Sequence, residues 1–124
     1  MPFADVNAEL VRYLTDSIAF TTTDLPERLE ESVPIIHLIQ LPGSVRHKPW
    51  NGPAQTRATV LDVDLYHRDL ESVTDFATEV TDLLESWSHA GITVTEDSSF
   101  YRRPDYNPNV VRFGGVYTFL VERT

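Results

Sequence analysis

The sequence predicts an α+β domain in which a mixed or antiparallel sheet of four strands carries two helices packed on one face. Three observations support this class. A long amphipathic pattern fills residues 69–89, two strand patterns flank a loop rich in Gly and Pro before it, and two more strand patterns follow it. We expect each pair of strands to form a hairpin, so the long helix crosses from one hairpin to the other.

The N-terminal part predicts a helix and then an extended connection. Residues 5–17 place apolar side chains at helical spacing, namely Val6, Leu10, Tyr13 and Leu14. Residues 18–33 are polar and acidic and are interrupted by Pro26. This stretch is typical of a connection, with a short strand at Ile18–Thr22.

The next two strands are predicted on either side of a long loop. Residues 34–41, PIIHLIQL, form a nearly continuous apolar run typical of a buried strand. Residues 43–55, GSVRHKPWNGPAQ, are rich in Gly and Pro and indicate a loop. Residues 56–66 alternate, so one face receives Thr59, Leu61, Val63 and Leu65 and the other receives Asp62, Asp64 and Tyr66.

The long helix is the clearest element. Asp69 suits its N-cap, and Gly91 suits a stop after His89. Its apolar stripe comprises Leu70, Val73, Phe76, Ala77, Val80, Leu83, Leu84 and Trp87. Strands are predicted over 92–102 and 110–122, and the pair Gly114-Gly115 inside the last strand indicates a bulge or a close backbone approach.

Composition places all these elements in a single domain, residues 1–124. Hydrophobic residues make up 41% of the chain, which is enough for a core, and there is no Cys. The start has no signal-peptide pattern, and no apolar run is long enough for a bilayer, so we expect a soluble intracellular protein that does not bind membranes. The net charge of -9 argues against a nucleic-acid-binding protein, because DNA phosphates would be repelled.

No pattern of catalytic, cofactor-binding or metal-ligating residues is present, and we predict that the protein is not an enzyme. The four histidines (His37, His47, His67 and His89) lack metal-site spacing, and His37 is interpreted as a structural residue of its strand. Asp62 and Asp64 share a strand face that we expect to be solvated or at an interface. A small enzyme that uses this carboxylate pair is the catalytic alternative.

The loop between the first two long strands is a candidate interface. It holds the one dense basic cluster of an acidic chain, followed by a Trp: Arg46, His47, Lys48 and Trp50. Trp and Arg are enriched where proteins meet, and a Trp between Pro49 and Gly52 is costly to leave in water. An ordinary solvated hairpin loop is the alternative interpretation.

A second candidate interface precedes the last strand, in the segment RRPDYNPN. Pro104 and Pro108 stiffen the chain and are expected to hold Tyr106 outward, next to Arg102 and Arg103. We interpret the segment as a rigid elbow that contacts another protein, and a plain turn is the alternative.

The order of these motifs resembles the tail terminator proteins of long-tailed bacteriophages. The likeness rests on an N-terminal amphipathic helix, the strand PIIHLIQLPG, the strand TRATVLDVDLYHRD that enters DLESVTDFATEVTDLLESW, and the ending RRPDYNPNVVRFGGVYTFLVE. The basic cluster at Arg46, His47 and Lys48 departs from what such an acidic chain would lead one to expect.

The resemblance implies a structural virion protein, assembled in the host cytoplasm, without cofactors. Such proteins form a homo-hexameric ring that caps the tail tube, stops its polymerisation and joins the tail to the head connector. Their partners are the major tail tube protein and the connector or stopper protein, and genomic DNA passes through the lumen without specific binding. An acidic lumen would let DNA slide. Another head–tail neck or adaptor protein and a plain interaction domain are the remaining alternatives.

Overall fold

The computed structural model describes residues 5–47, 56–89 and 91–122, and for 43–47 the backbone alone. Three helices and five strands occur in this part of the chain. In chain order they are α1 (Val6–Ser17), β1 (Phe20–Thr22), α2 (Leu29–Ser32), β2 (Ile35–His47), β3 (Thr56–His67), α3 (Leu70–Ser86), β4 (Ile92–Arg103) and β5 (Val111–Glu122).

The sheet is mixed and has the strand order β1-β2-β3-β5-β4. Strand β1 runs parallel to β2, and all other neighbours are antiparallel. The predicted α+β class and both predicted hairpins, β2–β3 and β4–β5, are therefore confirmed. The predicted short strand at Ile18–Thr22 is present as β1 and joins the sheet as a fifth strand, beyond the four predicted. The helix α2 is a third helix beyond the two predicted, because its four residues are too few to leave a periodic pattern in the sequence.

The main core lies between the sheet and the two long helices. Helix α1 contributes Val6, Leu10 and Leu14, and α3 contributes Val73, Phe76, Ala77, Val80 and Leu84. These side chains pack on one face of β3 and β5, which supplies Leu61, Val63, Leu65, Tyr117, Phe119 and Val121. The predicted alternation of β3 and most of the predicted stripe of α3 are confirmed, but Leu70 at the start of that stripe is exposed.

A smaller cluster lies on the opposite face of the sheet. It joins Leu29 of the short helix α2 to Ile35, Tyr66 and Val110. Ile35 and Tyr66 are partners in the β2–β3 register, one position from the pair that enters the main core. Because neighbouring strand residues point to opposite faces, α2 and the end of the connection between β4 and β5 cover part of the face that α1 and α3 leave open.

Helix α3 begins where the sequence predicts and ends earlier than predicted. The Asp69 carboxylate accepts a hydrogen bond from the backbone N–H of Ser72 at 2.7 Å, which is an N-cap bond. The helix stops at Ser86, because Trp87 has extended backbone angles and its ring stacks on Tyr13 at 5.5 Å. Gly91, at φ 79°, serves the turn into β4 rather than the helix end.

Strand β2 is longer than predicted. The sequence ends it at Leu41, before Pro42, yet the strand continues to His47 and takes up the first part of the predicted loop. The pairing with β3 shifts between Leu41 and Ser44, where Pro42 lies. A proline without an N–H is tolerated at such an irregularity, so the strand resumes beyond it.

The pair Gly114-Gly115 marks a close approach, as predicted. A Cβ on Gly115 would lie 2.9 Å from the backbone oxygen of Ser98, and one on Gly114 would overlap the guanidinium of Arg103. The accompanying bulges are in β4, where extra residues fall between Glu96 and Tyr101 opposite a shorter run of β5.

Among the described helices, none is both long enough and apolar enough to cross a membrane.

Candidate functional site

Two acidic and two basic side chains form an ion-pair network on the sheet face away from the long helices. Asp62 and Asp64 project from β3, Arg112 from β5 and Arg103 from β4. Arg103 donates to Asp62 at 2.6 Å and to Asp64 at 2.9 Å, while Arg112 donates to the other oxygen of Asp64 at 2.8 Å. With two carboxylates and two guanidinium groups, the network has no net charge.

Gly114 explains how Arg103 reaches across a whole strand. In the sheet register Gly114 of β5 lies between Asp64 of β3 and Tyr101 of β4. Because Gly114 has no side chain, the guanidinium of Arg103 occupies the space above it and meets both carboxylates. Gly114, which the sequence predicts as a site of close approach, therefore leaves the space that Arg103 needs to reach both aspartates.

The network is shielded from water. Asp64 is fully buried, and the side chains of Arg103 and Arg112 are 14% and 24% exposed. The hydrogen bond to Asp64 raises the pKa of Arg112 above its ordinary value. Burial is the largest single influence on the pKa of Arg103 and lowers it, but the hydrogen bonds to Asp62 and Tyr101 and the charges of both aspartates together outweigh burial, so the pKa is raised. Both arginines stay charged.

This geometry corrects the expectation for Asp62 and Asp64. We expected a solvated or interfacial pair, but Asp64 is inside the protein and both carboxylates are held by arginine. Within residues 5–47, 56–89 and 91–122, no group of three or more His, Cys, Asp or Glu side chains is arranged to hold a metal ion. The sequence pattern missed the network because its basic half lies on strands far from β3 in the chain.

The elbow between β4 and β5 is stiffened by its own hydrogen bonds as well as by its prolines. The backbone N–H of Asn107 donates to Asp105 at 3.1 Å, and that of Asn109 donates to the Asn107 side chain at 2.9 Å. The amide of Asn107 also donates to Glu30 of α2 at 3.1 Å. Glu30's pKa is lowered, first by a backbone hydrogen bond and then by this one. These bonds leave Tyr106 at the tip, 98% exposed.

An open groove of about 470 Å³ lies beside the elbow, on the sheet face that the long helices do not cover. Its exposed apolar residues are Leu25 at 37%, Ile39 at 36% and Tyr106. The rest of its lining consists of Pro26, Glu27, Leu29, His37, Asp64, Tyr66, Asp105, Asn107 and Arg112. Ile39 went unnoticed in the sequence because the unbroken apolar run PIIHLIQL does not show which of its residues lie on the uncovered face.

The groove is electronegative. Asp64 and Arg112 neutralise each other, and among the described residues no ion pair involves Glu27 or Asp105. Burial raises the pKa of Tyr66 to about 12; Arg112 lowers it, and the charges of Asp64 and Asp105 add to the rise. A ligand that matches this surface would bring apolar atoms and positive charge.

The described histidine side chains do not form a common site. The Nε2 of His37 lies 3.1 Å from the carbonyl oxygen of Thr23, to which it donates, in keeping with a structural strand residue. Its Nδ1 is buried without a partner. His67 packs edge-on against Phe76, and His89 stacks on Trp87 at the far side of the molecule.

The elbow and the described part of the basic segment, the backbone of Arg46 and His47, lie near opposite ends of β2. Arg102 is exposed next to the elbow, whereas Arg103 points inward to the aspartates, so its charge is engaged within the protein. Arg46 and His47 belong to the end of β2, and their side chains lie outside the described structure, as do Lys48 and Trp50. The interface assignment of these residues stays a prediction.

Comparison with known proteins adds no relative to this description. The sequence matches no protein-family model and no curated protein.

Proposed function

We propose that this protein is a tail terminator of a long-tailed bacteriophage, a structural virion protein that forms a ring on the finished tail tube. The ring stops addition of tube subunits and provides the surface that joins the tail to the head connector. The proposal rests on the resemblance of the ordered sequence motifs and on the character of the site.

The observation that best supports an assembly role is the elbow with its groove. A rigid loop holds a fully exposed tyrosine, and the adjacent sheet face exposes further apolar side chains, Leu25 and Ile39. Exposing these apolar groups to water does not stabilise the isolated folded chain. Aromatic side chains on stiff supports are, however, what protein interfaces use as anchors, because little entropy is lost on binding.

The ion-pair network favours this function over the enzyme alternative. Asp62 and Asp64 are the carboxylates that a catalytic interpretation would require, and each accepts a hydrogen bond from a guanidinium. In that arrangement they stabilise the base of the elbow. A neck or adaptor protein would use an exposed elbow equally well, so the experiment has to separate the two roles.

Deleting the gene and imaging the resulting particles by electron microscopy tests the proposal. Without a terminator we expect tails of excessive length, unattached to heads, together with normal DNA-filled heads. In intact particles we expect six copies at one level of the neck.

Each competing role gives a different result. Tails of normal length that lack heads would indicate a neck adaptor, because length control would then be intact. Absence of the protein from purified virions would refute a structural role. Genes for a tape-measure protein and a major tail protein beside this gene would favour the tail assignment before any particle is imaged.

A further inference from the structure

We propose that the groove beside the elbow binds the basic, Trp-containing segment 46–50 of a second copy of this chain. The contact joins one end of a subunit to the other end of the next. It deepens the proposed function, in which copies form a ring, but it concerns this chain alone and is testable without any tail.

The lining of the groove suits a large aromatic side chain. Leu25, Ile39 and Tyr106 give it an exposed apolar lining, and Phe20, more than half exposed, extends that surface on the neighbouring strand. Its volume of about 470 Å³ falls in the range of roughly 300–1,000 Å³ typical of pockets that hold a compact ligand. One large aromatic side chain is a suitable occupant.

The charge of the groove favours a basic ligand. Glu27 and Asp105 line the groove without an ion pair in the described structure, so its unbalanced charge is negative. The chain carries nine more acidic than basic residues, and its dense basic cluster is Arg46, His47 and Lys48, two residues before Trp50. An aromatic side chain flanked by cations complements an apolar groove with an acidic rim.

Distance along the chain favours a second copy as the source of that segment. Ile39, in the groove, and His47 pair with Asp62 and Thr56, which lie six residues apart on β3. At ~3.3 Å per residue the two are separated by about 20 Å. Trp50 follows His47 by three residues, so its Cα atom reaches at most ~11 Å from that of His47 along an extended chain. The Cα atom of a subunit's own Trp50 therefore stays about 9 Å or more from that of Ile39, even with the intervening chain fully extended towards the groove.

A contact between two different surfaces has a geometric consequence. Each copy offers one groove and one segment, so bound copies continue head to tail, and the series closes into a ring when the rotation between neighbours allows it. A closed two-fold dimer, in which each segment fills the groove of the other copy, would make the same contact twice and stop at two copies. Wild-type species larger than dimers therefore distinguish the head-to-tail arrangement from that dimer.

The test uses the purified full-length chain in sedimentation velocity over a range of concentrations. We expect the wild-type chain to form species larger than dimers as concentration rises. Trp50→Ala, which lacks the inserted side chain, and Leu25→Lys, which places a cation in the groove, should each weaken association by at least ~30-fold. Tyr106→Ala, at a fully exposed position, serves as a second groove variant that should leave the fold intact.

Mixing the two variants is the decisive measurement. A Trp50→Ala chain retains its groove and a Leu25→Lys chain retains its segment, so an equimolar mixture should form dimers and stop there. Leu70→Asp, which changes an exposed apolar residue on α3, is the matched control and should associate like the wild type.

Several results would overturn the inference. A wild-type chain that stays monomeric at all concentrations, variants that associate normally, or a mixture without dimers would each do so. Head-to-tail association combined with normal-length, head-joined tails after gene deletion would uphold this contact and reject the proposed function.

Discussion

Replacing Asp64 by alanine tests whether the ion-pair network supports the base of the elbow. Asp64 is fully buried and accepts one hydrogen bond each from Arg103 and Arg112. After the substitution Arg103 keeps Asp62, but Arg112 loses its ion pair within the described structure. Asp64→Ala should therefore destabilise the fold, chiefly through the uncompensated charge of Arg112.

The expected size follows from the burial of the partners. Removing one member of a buried pair costs about 3–5 kcal/mol. Because Arg112 is 24% exposed, part of its charge can be hydrated after the change, and the lower end of that range applies. For a domain of this size, a loss of about 3 kcal/mol lowers the melting temperature by on the order of 10 °C.

Thermal unfolding followed by circular dichroism measures the effect, and a double-mutant cycle identifies its cause. The double variant with Arg112→Ala should lose less stability than the sum of the losses in the two single variants, since it buries no unpaired charge at this site. Asp62→Ala, which leaves Arg103 its bond to Asp64, is the matched control and should cost about 1 kcal/mol. A melting temperature within about 2 °C of wild type for Asp64→Ala would refute the reasoning.

Three further predictions concern other parts of the chain. Gly114→Ala should displace the guanidinium of Arg103 from the aspartates and destabilise the fold by about 1–3 kcal/mol, measured by denaturant unfolding; an unchanged midpoint would show that Arg103 is free to move. Burial and the charge of neighbouring Arg68 lower the pKa of His67 in the folded protein. As the pH falls, His67 therefore binds a proton in the unfolded chain at a higher pH than in the folded one. The contribution of His67 to the free energy of unfolding should be fully present above about pH 6.5 and decrease as the pH drops below that value. His67→Gln should remove this part of the pH dependence, measured as the free energy of unfolding against pH. Trp50→Ala should leave the melting temperature nearly unchanged but reduce the fraction of tails joined to heads, whereas a buried Trp50 would cost ~3–5 kcal/mol.

The sequence by itself determined the elements whose burial is periodic. The stripe from Val73 to Leu84 and the alternation of Leu61, Val63 and Leu65 predict which faces enter the main core, because one-sided burial repeats at the helical or strand period. The N-cap at Asp69 was also predictable from the sequence, since its side chain accepts a hydrogen bond from a backbone N–H only three residues away. These features depend on neighbours in the chain.

The tertiary structure decided what depends on residues far apart in the chain. The aspartates of β3 stand out in the sequence, but their partners Arg103 and Arg112 are about forty to fifty positions away and meet them only through the β3–β5–β4 order of the sheet. The groove likewise combines Leu25, Ile39 and Tyr106 from three separate segments. Ion pairs and grooves depend on distances in space, and a linear pattern does not specify which strand lies beside which.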